Sequence, residues 1–156
     1  MDPRMPKSIR NSTNDEFTLN IDLAPTLLQA ANIPIPQVMQ GRDFAPMYST
    51  NSNDAGAANT SATTTSVKSS WRKEFYYEWF TFDKVLLPSS LALVRKDTKY
   101  IHWPEYDYEE LFQLRTDPYE ERNVFNTSLQ TSKALLDEVK GRFEELKAAA
   151  EDGDKV

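Results

Sequence analysis

The sequence predicts an α+β fold, in which a small antiparallel sheet of about four strands is packed by a long C-terminal helix. Three observations predict this fold class. Short β-rich runs follow one another from residue 71 to residue 114 with brief polar turns between them, and such connections join antiparallel neighbours. An apolar stripe with helical spacing occupies residues 128–151. A shorter helical pattern precedes the strands, at residues 22–32.

The first predicted element is the short helix over residues 22–32. Asp22 can cap it by accepting backbone N–H groups, and Pro25 falls in the first turn, where a missing N–H costs little. Asn32 suits a left-handed end, and the two prolines after it prevent continuation. Gly41 marks a turn in the following segment. One face of the helix carries the apolar residues Leu23, Leu27, Leu28 and Ala31.

Residues 49–70 form a predicted flexible loop. The run reads STNSNDAGAANTSATTTSVKSS, and Val67 is its only large apolar residue. Such a composition cannot bury enough surface to offset the entropy lost on ordering it. We therefore divide the chain into residues 1–48, the loop, and residues 71–153.

The β-rich runs predict the strands of a meander. WRKEFYYEWFTF alternates as a strand does, and this places Phe75, Tyr77 and Trp79 on one face. LALVRKDTKYIHW has the pattern of a hairpin with the polar turn RKDTK, and EELFQL supplies a further strand.

A strand-to-helix junction, LFQLRTDPYEERNVFN, follows the last strand. Asp117-Pro118 ends the strand, because proline has no N–H for the ladder and the Asp carboxylate can cap the next turn. Asn123 suits a left-handed exit, after which Val124 and Phe125 return to the core.

The final helix is predicted over residues 128–151. Its apolar stripe, expected to pack on the sheet, consists of Leu129, Leu136, Val139, Phe143, Leu146 and Ala150. Thr127 or Ser128 is the expected N-cap, and Gly153 is expected to follow the last turn. Gly141 costs about 1 kcal/mol relative to Ala, which a buried stripe can tolerate.

Composition excludes several chemistries and partners. The chain has 156 residues, a net charge of -6, no cysteine and one histidine. Negative charge argues against nucleic acid, which needs clustered Lys and Arg, and without cysteine there is neither a disulfide nor a thiol nucleophile. No apolar run approaches the roughly 18 residues of a membrane span, and the start, MDPRMPKSIRNS, has no apolar secretion signal. No acidic cluster offers the roughly six to eight oxygens that calcium takes. We predict no catalytic and no metal-binding residue here.

Four segments together resemble the sulfatase family. LFQLRTDPYEERNV is similar to the signature ELYDL–DP–E–NL near the C-terminus of sulfatases, and NIDLAPTLLQAANIPIPQVMQG is similar to the segment IDLAPTLLDLAGIPIPEGMQG. WRKEFYYEW and LVRKDTKYIHW resemble two strands of the same family, in the same order, and DPRMP resembles the end of a core strand. Apart from the loop, nearly the whole chain is covered, with a likeness to arylsulfatases and N-sulfoglucosamine sulfohydrolases.

This resemblance implies a place in a larger enzyme. Residues 1–48 would be the tail end of an alkaline-phosphatase-like core, and residues 71–153 the C-terminal sulfatase subdomain. Family members hydrolyse sulfate esters with a calcium ion and a formylglycine made in a C/S-x-P-x-R motif, which this chain lacks. We therefore expect the fragment to be inactive and to bind neither cofactor. Its expected partner is the N-terminal catalytic domain, with a sulfated carbohydrate or an aryl sulfate as the substrate of the intact enzyme.

The resemblance also implies candidate site residues. Related sulfatases place this subdomain beside the substrate cleft, so Glu78, Arg95 and His102 are predicted to line the substrate pocket. The structural alternative pairs Glu78 with Arg72 or Arg95 and gives His102 a structural or surface position on its strand.

The resemblance also implies a location for the parent enzyme: the secretory pathway, the lysosome or the cell exterior. Sequons at Asn11, Asn59 and Asn126 would be glycosylated if the parent follows that route.

Two other functions are compatible with the sequence. One is the C-terminal part of a related phosphonate or phosphate ester hydrolase, which the missing upstream nucleophile would distinguish. The other is a stand-alone binding module, which would need independent stability and a specific ligand.

Overall fold

The structure is a computed structural model that describes residues 7, 11, 13–48, 71–81, 87–125 and 130–153, with side chains from 133 to 152 in the last range. It divides into two compact units, Met1–Arg72 and Lys73–Val156. Residues 49–70, the predicted loop, lie outside the described residues. None of the described helices combines the length and the apolar character of a membrane span.

In the first unit, helix α1 spans Leu23–Ala30 and follows a 3-10 turn at Asn20–Asp22. A second 3-10 turn spans Ala45–Met47. As predicted, Asn32 ends the helical segment in the left-handed conformation, with φ 58°. The N–H of the next residue then donates to the carbonyl of Leu28 at 2.9 Å, which satisfies one of the free carbonyls at the helix end.

The apolar face of α1 is largely exposed. Leu23 and Leu27 are 55% and 69% exposed, whereas Pro25 and Thr26 are buried. The predicted apolar stripe is therefore not a core within this chain.

Asp22 does not cap α1, contrary to the prediction. It is itself in helical conformation (φ -80°, ψ -16°), and its carboxylate makes no hydrogen bond to the first amides of α1. A capping residue needs an extended backbone to bring its side chain over those amides. The preceding 3-10 turn denies Asp22 that geometry, and its carboxylate points into the unit instead.

Gly41 is needed for a close backbone approach rather than for the predicted turn. A Cβ added to Gly41 would lie 2.0 Å from the carbonyl oxygen of Ile21, and the φ of Gly41 is not positive. Only glycine permits this approach, because it has no side chain to collide with the neighbouring backbone. The next residue, Arg42, then donates its N–H to Asp22 at 2.8 Å.

The second unit contains the predicted four-stranded antiparallel sheet, in the order β1-β2-β3-β4. Its strands are β1 (Glu74–Trp79), β2 (Ser90–Arg95), β3 (Thr98–Trp103) and β4 (Tyr108–Gln113). Three antiparallel pairings follow chain order, which is the pattern of a meander. The predicted α+β class is therefore confirmed.

Helix α2 spans Gln130–Gly153 and packs on one face of the sheet, which we call the helix face. The buried core under α2 consists of Leu91, Leu93, Tyr100, Leu111, Val139 and Phe143. Of the predicted stripe, Leu136 and Leu146 pack against this core while partly buried. Gly153 is the last helical residue rather than the residue after the helix. Thr127, Ser128 and Leu129 lie outside the described residues.

The junction after β4 is partly as predicted. The carboxylate of Asp117 accepts the N–H groups of Glu121 and Arg122, at 3.1 and 2.9 Å, and so caps the turn. The left-handed residue, however, is Glu120 (φ 58°) and not Asn123.

Asn123 extends the pairing of β4 with its side chain. The carbonyl oxygen of its amide accepts the N–H of Leu111 at 3.0 Å, and its amide nitrogen donates to the carbonyl of Glu109 at 3.2 Å. The side-chain amide thus imitates a peptide group of a neighbouring strand. The side chain of Asn123 thus completes hydrogen bonds at the edge of β4. The left-handed residue is Glu120, three residues earlier.

Candidate functional site

All three predicted pocket residues lie on the helix face, but not together. The register aligns four residues in one row at the end of the sheet where β1 finishes and β2 begins: Glu78, Leu91, His102 and Glu109. We call this the end row. Arg95 lies opposite Glu74, at the other end of β1. At about 3.3 Å per residue, four residues along the strand separate it from the end row by about 13 Å.

Arg95 joins the sheet to α2. Its guanidinium donates to Glu74 at 2.9 Å and to Glu138 of α2 at 2.8 Å. Glu74 also accepts from Arg142 of α2 at 2.5 Å. Burial alone would raise the pKa of Glu74, but hydrogen bonds from Arg142 and Arg95 hold it below its ordinary value. Arg95 also lines an open cavity of ≈ 480 Å³ with Lys73, Glu74, Lys96 and Asp97.

His102 is half-buried and packs edge-on against the ring of Phe143, with 6.4 Å between the ring centroids. Its cross-strand neighbour Glu109 accepts from Lys140 of α2 at 2.6 Å and from the hydroxyl of Tyr100. Burial would raise the pKa of Glu109, but Lys140 and Tyr100 outweigh it and keep that pKa below its ordinary value. The imidazole therefore stands beside a carboxylate that is already charged and paired.

Glu78 is exposed at the end of β1, and its side chain bonds the phenol of Tyr76. The alternative pairing of Glu78 with an arginine is wrong: Arg72 binds Asp22 in the first unit, and Arg95 binds Glu74 and Glu138. Burial first, and then the charge of Glu78, raise the pKa of Tyr76 well above its ordinary value. Glu78 thus keeps an accessible carboxylate.

The end row can bind a polar ligand more readily than it can catalyse. Glu78 offers acceptor oxygens and the imidazole of His102 offers one donor or one acceptor, a combination that suits hydroxyl groups. Within the part of the chain that the structure describes, no three His, Asp or Glu side chains converge as metal ligands.

Sequence reasoning missed two members of this region, Glu109 and Lys140. Counting the antiparallel register outward from the RKDTK and Trp103–Tyr108 connections would have aligned Glu109 with His102. Nothing in the sequence could indicate Lys140, because its place depends on how α2 crosses the sheet.

Of the predicted sequons, Asn11 is exposed and left-handed, with φ 67°. Asn59 and Asn126 lie outside the described residues.

A second arrangement, in the first unit, unites two segments that resemble sulfatase motifs. The buried carboxylate of Asp22 forms a two-pronged ion pair with Arg72 and accepts the N–H of Leu19 at 2.8 Å. The indole of Trp71 donates to the carbonyl of Phe17 at 2.7 Å. Burial would raise the pKa of Asp22, but Arg72 and the backbone donors lower it below its ordinary value. Because the carboxylate is fully engaged, its role is structural.

Similar proteins are sulfatases or bind sulfated sugars. An N-acetylglucosamine-6-O-sulfatase of Bacteroides thetaiotaomicron is 25% identical over 150 residues, which are 91% of this chain and 25% of the relative. A solved protein in complex with its substrate D-glucosamine-2-N,6-O-disulfate has a TM-score of 0.64 at 24% identity, over 85% of this chain and 24% of that one. A solved 2-O GAG sulfatase has a TM-score of 0.50 at 22% identity, over 82% and 26%. The two structures show the same fold.

The chain therefore spans about a quarter of the length of these relatives. The family described as N-sulphoglucosamine sulphohydrolase, C-terminal, matches residues 1–149, nearly the whole chain. This protein belongs to that family and is a C-terminal sulfatase subdomain.

Proposed function

We propose that this chain is the C-terminal part of a sulfatase that hydrolyses sulfate esters on a sugar, and that the reacting groups belong to the rest of the enzyme. One observation carries the proposal: the family match covers residues 1–149, yet the chain spans only 25% of its curated relative. The printed names of two similar proteins, which refer to sulfated glucosamines, support the substrate class.

Exposed apolar residues on α1 and on the 3-10 turn before it support the proposed domain division. Ile21, Leu23 and Leu27 are 46%, 55% and 69% exposed. Burying a Leu side chain contributes about 1.5–3 kcal/mol, so an open face of this kind favours a larger core that covers it. We propose that residues 1–48 belong to an alkaline-phosphatase-like core and residues 71–153 to the subdomain.

Formylglycine and calcium, in this proposal, are supplied by the upstream part. The chain has no cysteine, and its described residues hold no group of three His, Asp or Glu side chains that could bind a metal ion. Calcium takes about six to eight oxygens, which the residues that the structure describes do not gather. The residues present do not fit either group, so no step of the reaction is assigned to them.

For the three candidate residues, the proposal separates binding from positioning. Glu78 and His102 share the end row, so one sugar can meet both, with Glu78 accepting from a hydroxyl. Arg95 has two carboxylate partners and holds α2 on the sheet. We assign it a positioning role. In the intact enzyme, Glu78→Gln should raise KM for a sulfated glucosamine while kcat changes little, because in this proposal the carboxylate binds a sugar hydroxyl and takes no part in the reaction. Equal losses in kcat and kcat/KM would contradict a binding role.

The activity test compares this chain with the intact enzyme. We expect the purified chain to hydrolyse neither an aryl sulfate nor a 6-O-sulfated glucosamine above background, because positioned charges and metal ions supply most of the rate. The intact enzyme should release sulfate and lose activity when calcium is chelated. Turnover by the chain alone would overturn the proposal. An intact enzyme that cleaves phosphonate or phosphate esters, and no sulfate ester, would favour the related hydrolase.

A further inference from the structure

The face of the sheet opposite α2 exposes a cluster of aromatic side chains. Strand alternation places Tyr77 and Trp79 of β1, Trp103 of β3 and Tyr108 of β4 on this side, near the end where β1 finishes. We call these four residues the aromatic face. Tyr77, Trp79 and Tyr108 are 45%, 50% and 48% exposed, and Trp103 is half-buried.

Small residues of β2 lie at the centre of the aromatic face. The register places Ala92 between Tyr77 and Ile101, and Ser90 opposite Trp79 on the neighbouring strand. Ala92 is only 2% exposed, so the accessible apolar surface of this side is that of the rings themselves.

Exposure is confined to this end of the open side. At the other end Phe112 is only 5% exposed, and its cross-strand partner Lys99 forms an ion pair with Glu120 at 2.7 Å. The segment after β4 thus reaches that end of the sheet. That segment also touches the edge of the aromatic face, where the Asn123 amide donates to the hydroxyl of Tyr108 at 3.2 Å, but Tyr77 and Trp79 stay 45% and 50% exposed.

The charge around the aromatic face is negative. Glu110 lies on the same side and accepts the indole N–H of Trp103 at 2.9 Å, while Glu105 and Asp107 occupy the β3–β4 connection. Among the described residues from 77 to 79, 90 to 92, 101 to 103 and 108 to 110, none is Lys or Arg. This rim repels a sulfated saccharide and attracts a surface that carries Lys or Arg.

The size of the aromatic face indicates how its occupant is held. Three half-exposed rings offer about 300 Å² of apolar surface. A stable interface between separate molecules buries about 800 Å² on each partner, so this area is too small for an independent dimer. A partner on the same polypeptide needs less area, because the linkage supplies a high effective concentration. A second copy would also bring two acidic rims together.

We propose that the aromatic face docks on the remaining part of the parent polypeptide, against apolar side chains bordered by Lys or Arg. The proposal rests on the proposed function, because the chain spans only about a quarter of its relatives and the missing part is the available occupant.

Hydroxyl-radical oxidation of this chain alone and of the intact enzyme tests the docking. Trp79 and Tyr77 should react about fivefold or more slowly in the intact enzyme, because the centre of an interface excludes water. Tyr119, which is 84% exposed after β4, serves as the internal reference and should change less than about twofold. The proposal would be overturned if the oxidation rate of Trp79, measured relative to that of Tyr119, were equal in the two proteins.

Charge variants provide a second test. Neutralising the rim with Glu105→Gln and Asp107→Asn should increase Trp79 oxidation in the intact enzyme by about twofold or more and leave the isolated chain unchanged. Asn is chosen at position 107 because Asp107 is left-handed, with φ 48°. Glu121→Gln, an exposed carboxylate after β4, is the matched control and should have no effect. Equal effects of the rim pair and the control would reject charge complementarity.

Other occupants and a failure of the proposed function give distinguishable results. Protection of Trp79 in the isolated chain by a neutral or sulfated oligosaccharide, with Trp79 exposed in the intact enzyme, would identify a glycan site instead. A dimer of the isolated chain in sedimentation, with Trp79 protected, would identify a second copy. If Trp79 is protected in an intact enzyme that cleaves no sulfate ester, the docking proposal stands and only the proposed reaction is rejected. If Trp79 is oxidised equally fast in an intact enzyme that is an active sulfatase, only the docking proposal is rejected.

Discussion

Asp22 shows how one residue can join distant parts of a sequence. Its carboxylate is fully buried and is satisfied by Arg72 and by the backbone N–H groups of Leu19 and Arg42. Arg72 stacks on Trp71, with 5.0 Å from the guanidinium to the ring centroid. Asp22 and Arg72 are 50 residues apart, and the predicted loop lies between them. The ion pair therefore holds residues 22 and 72 together, and it does not depend on the sequence of the loop between them.

Removing the charge of Asp22 should destabilise the first unit. We expect Asp22→Asn to cost about 3–5 kcal/mol at neutral pH, because Arg72 is left buried without a counter-ion. Asp15→Asn, an exposed site, should change stability by less than about 0.5 kcal/mol. Urea unfolding followed by the indole N–H signal of Trp71 measures both. An unchanged midpoint in Asp22→Asn would show that the ion pair does not stabilise the unit.

Helix α2 depends on one ring more than on any charge. Phe143 is 0% exposed and lies against three rings of the sheet, with centroid distances of 5.7 Å to Tyr76, 5.0 Å to Tyr100 and 6.4 Å to His102. The ion pairs of Glu74 with Arg95 and Arg142 lie nearer the solvent. Partly exposed pairs contribute about 0–1 kcal/mol each, which is less than a buried ring.

Truncating Phe143 therefore tests whether the stripe is a core face. Phe143→Ala should cost about 3–5 kcal/mol, from lost burial and the cavity that remains. Glu144→Ala, on the exposed side of the same turn, should cost less than about 0.5 kcal/mol. Thermal unfolding followed by circular dichroism gives both values. Similar losses in the two variants would mean that α2 does not use this stripe to bind the sheet.

At the scale of the whole molecule, low pH should destabilise both units, and high pH should destabilise the second unit first. The pKa values of Asp22 in the first unit, and of Glu74 and Glu109 in the second, are all lowered. A lowered carboxyl pKa gives stability that is present above the unfolded value, about 3.9–4.3, and is lost as pH falls through the folded value. Burial, which is the largest cause, and carboxylate neighbours raise the pKa of Tyr76 and Tyr100. Their contribution is present below about pH 10 and is lost as pH rises further.

We therefore expect both units to lose amide protection below about pH 4, and the second unit to lose it before the first above about pH 10. Hydrogen exchange at Arg42 reports the first unit, and exchange at Leu93 reports the second. Tyr76→Phe should shift the alkaline loss of the second unit to higher pH while the acid loss stays unchanged. If the amide of Arg42 loses its protection before that of Leu93 as the pH rises, this assignment is wrong.

Much of the fold could be predicted from the sequence, because its signals are local. Neighbours in the chain determine the alternation in β1, the short polar turns and the apolar period of α2. Short turns join strands that are adjacent in the sheet, so they also predict the strand order. The left-handed end at Asn32 and the cap by Asp117 also depend on nearby backbone, and both were predicted correctly. The error at Asp22 arose because a 3-10 turn removes it from capping geometry, and the error at Asn123 arose because its side chain bonds the edge of β4.

By itself, the sequence determined the α+β class, the family resemblance and the residue types available for binding. Only the tertiary structure decided which of those residues meet. It aligned Glu78 with His102 across Leu91 and separated Arg95 from them. It also left three rings of the opposite face, those of Tyr77, Trp79 and Tyr108, about half exposed. The physical reason is that register and helix crossing are fixed by packing between elements far apart in the chain. A local pattern specifies the face of a strand or helix on which a side chain lies, but not the side chain of another element that it contacts.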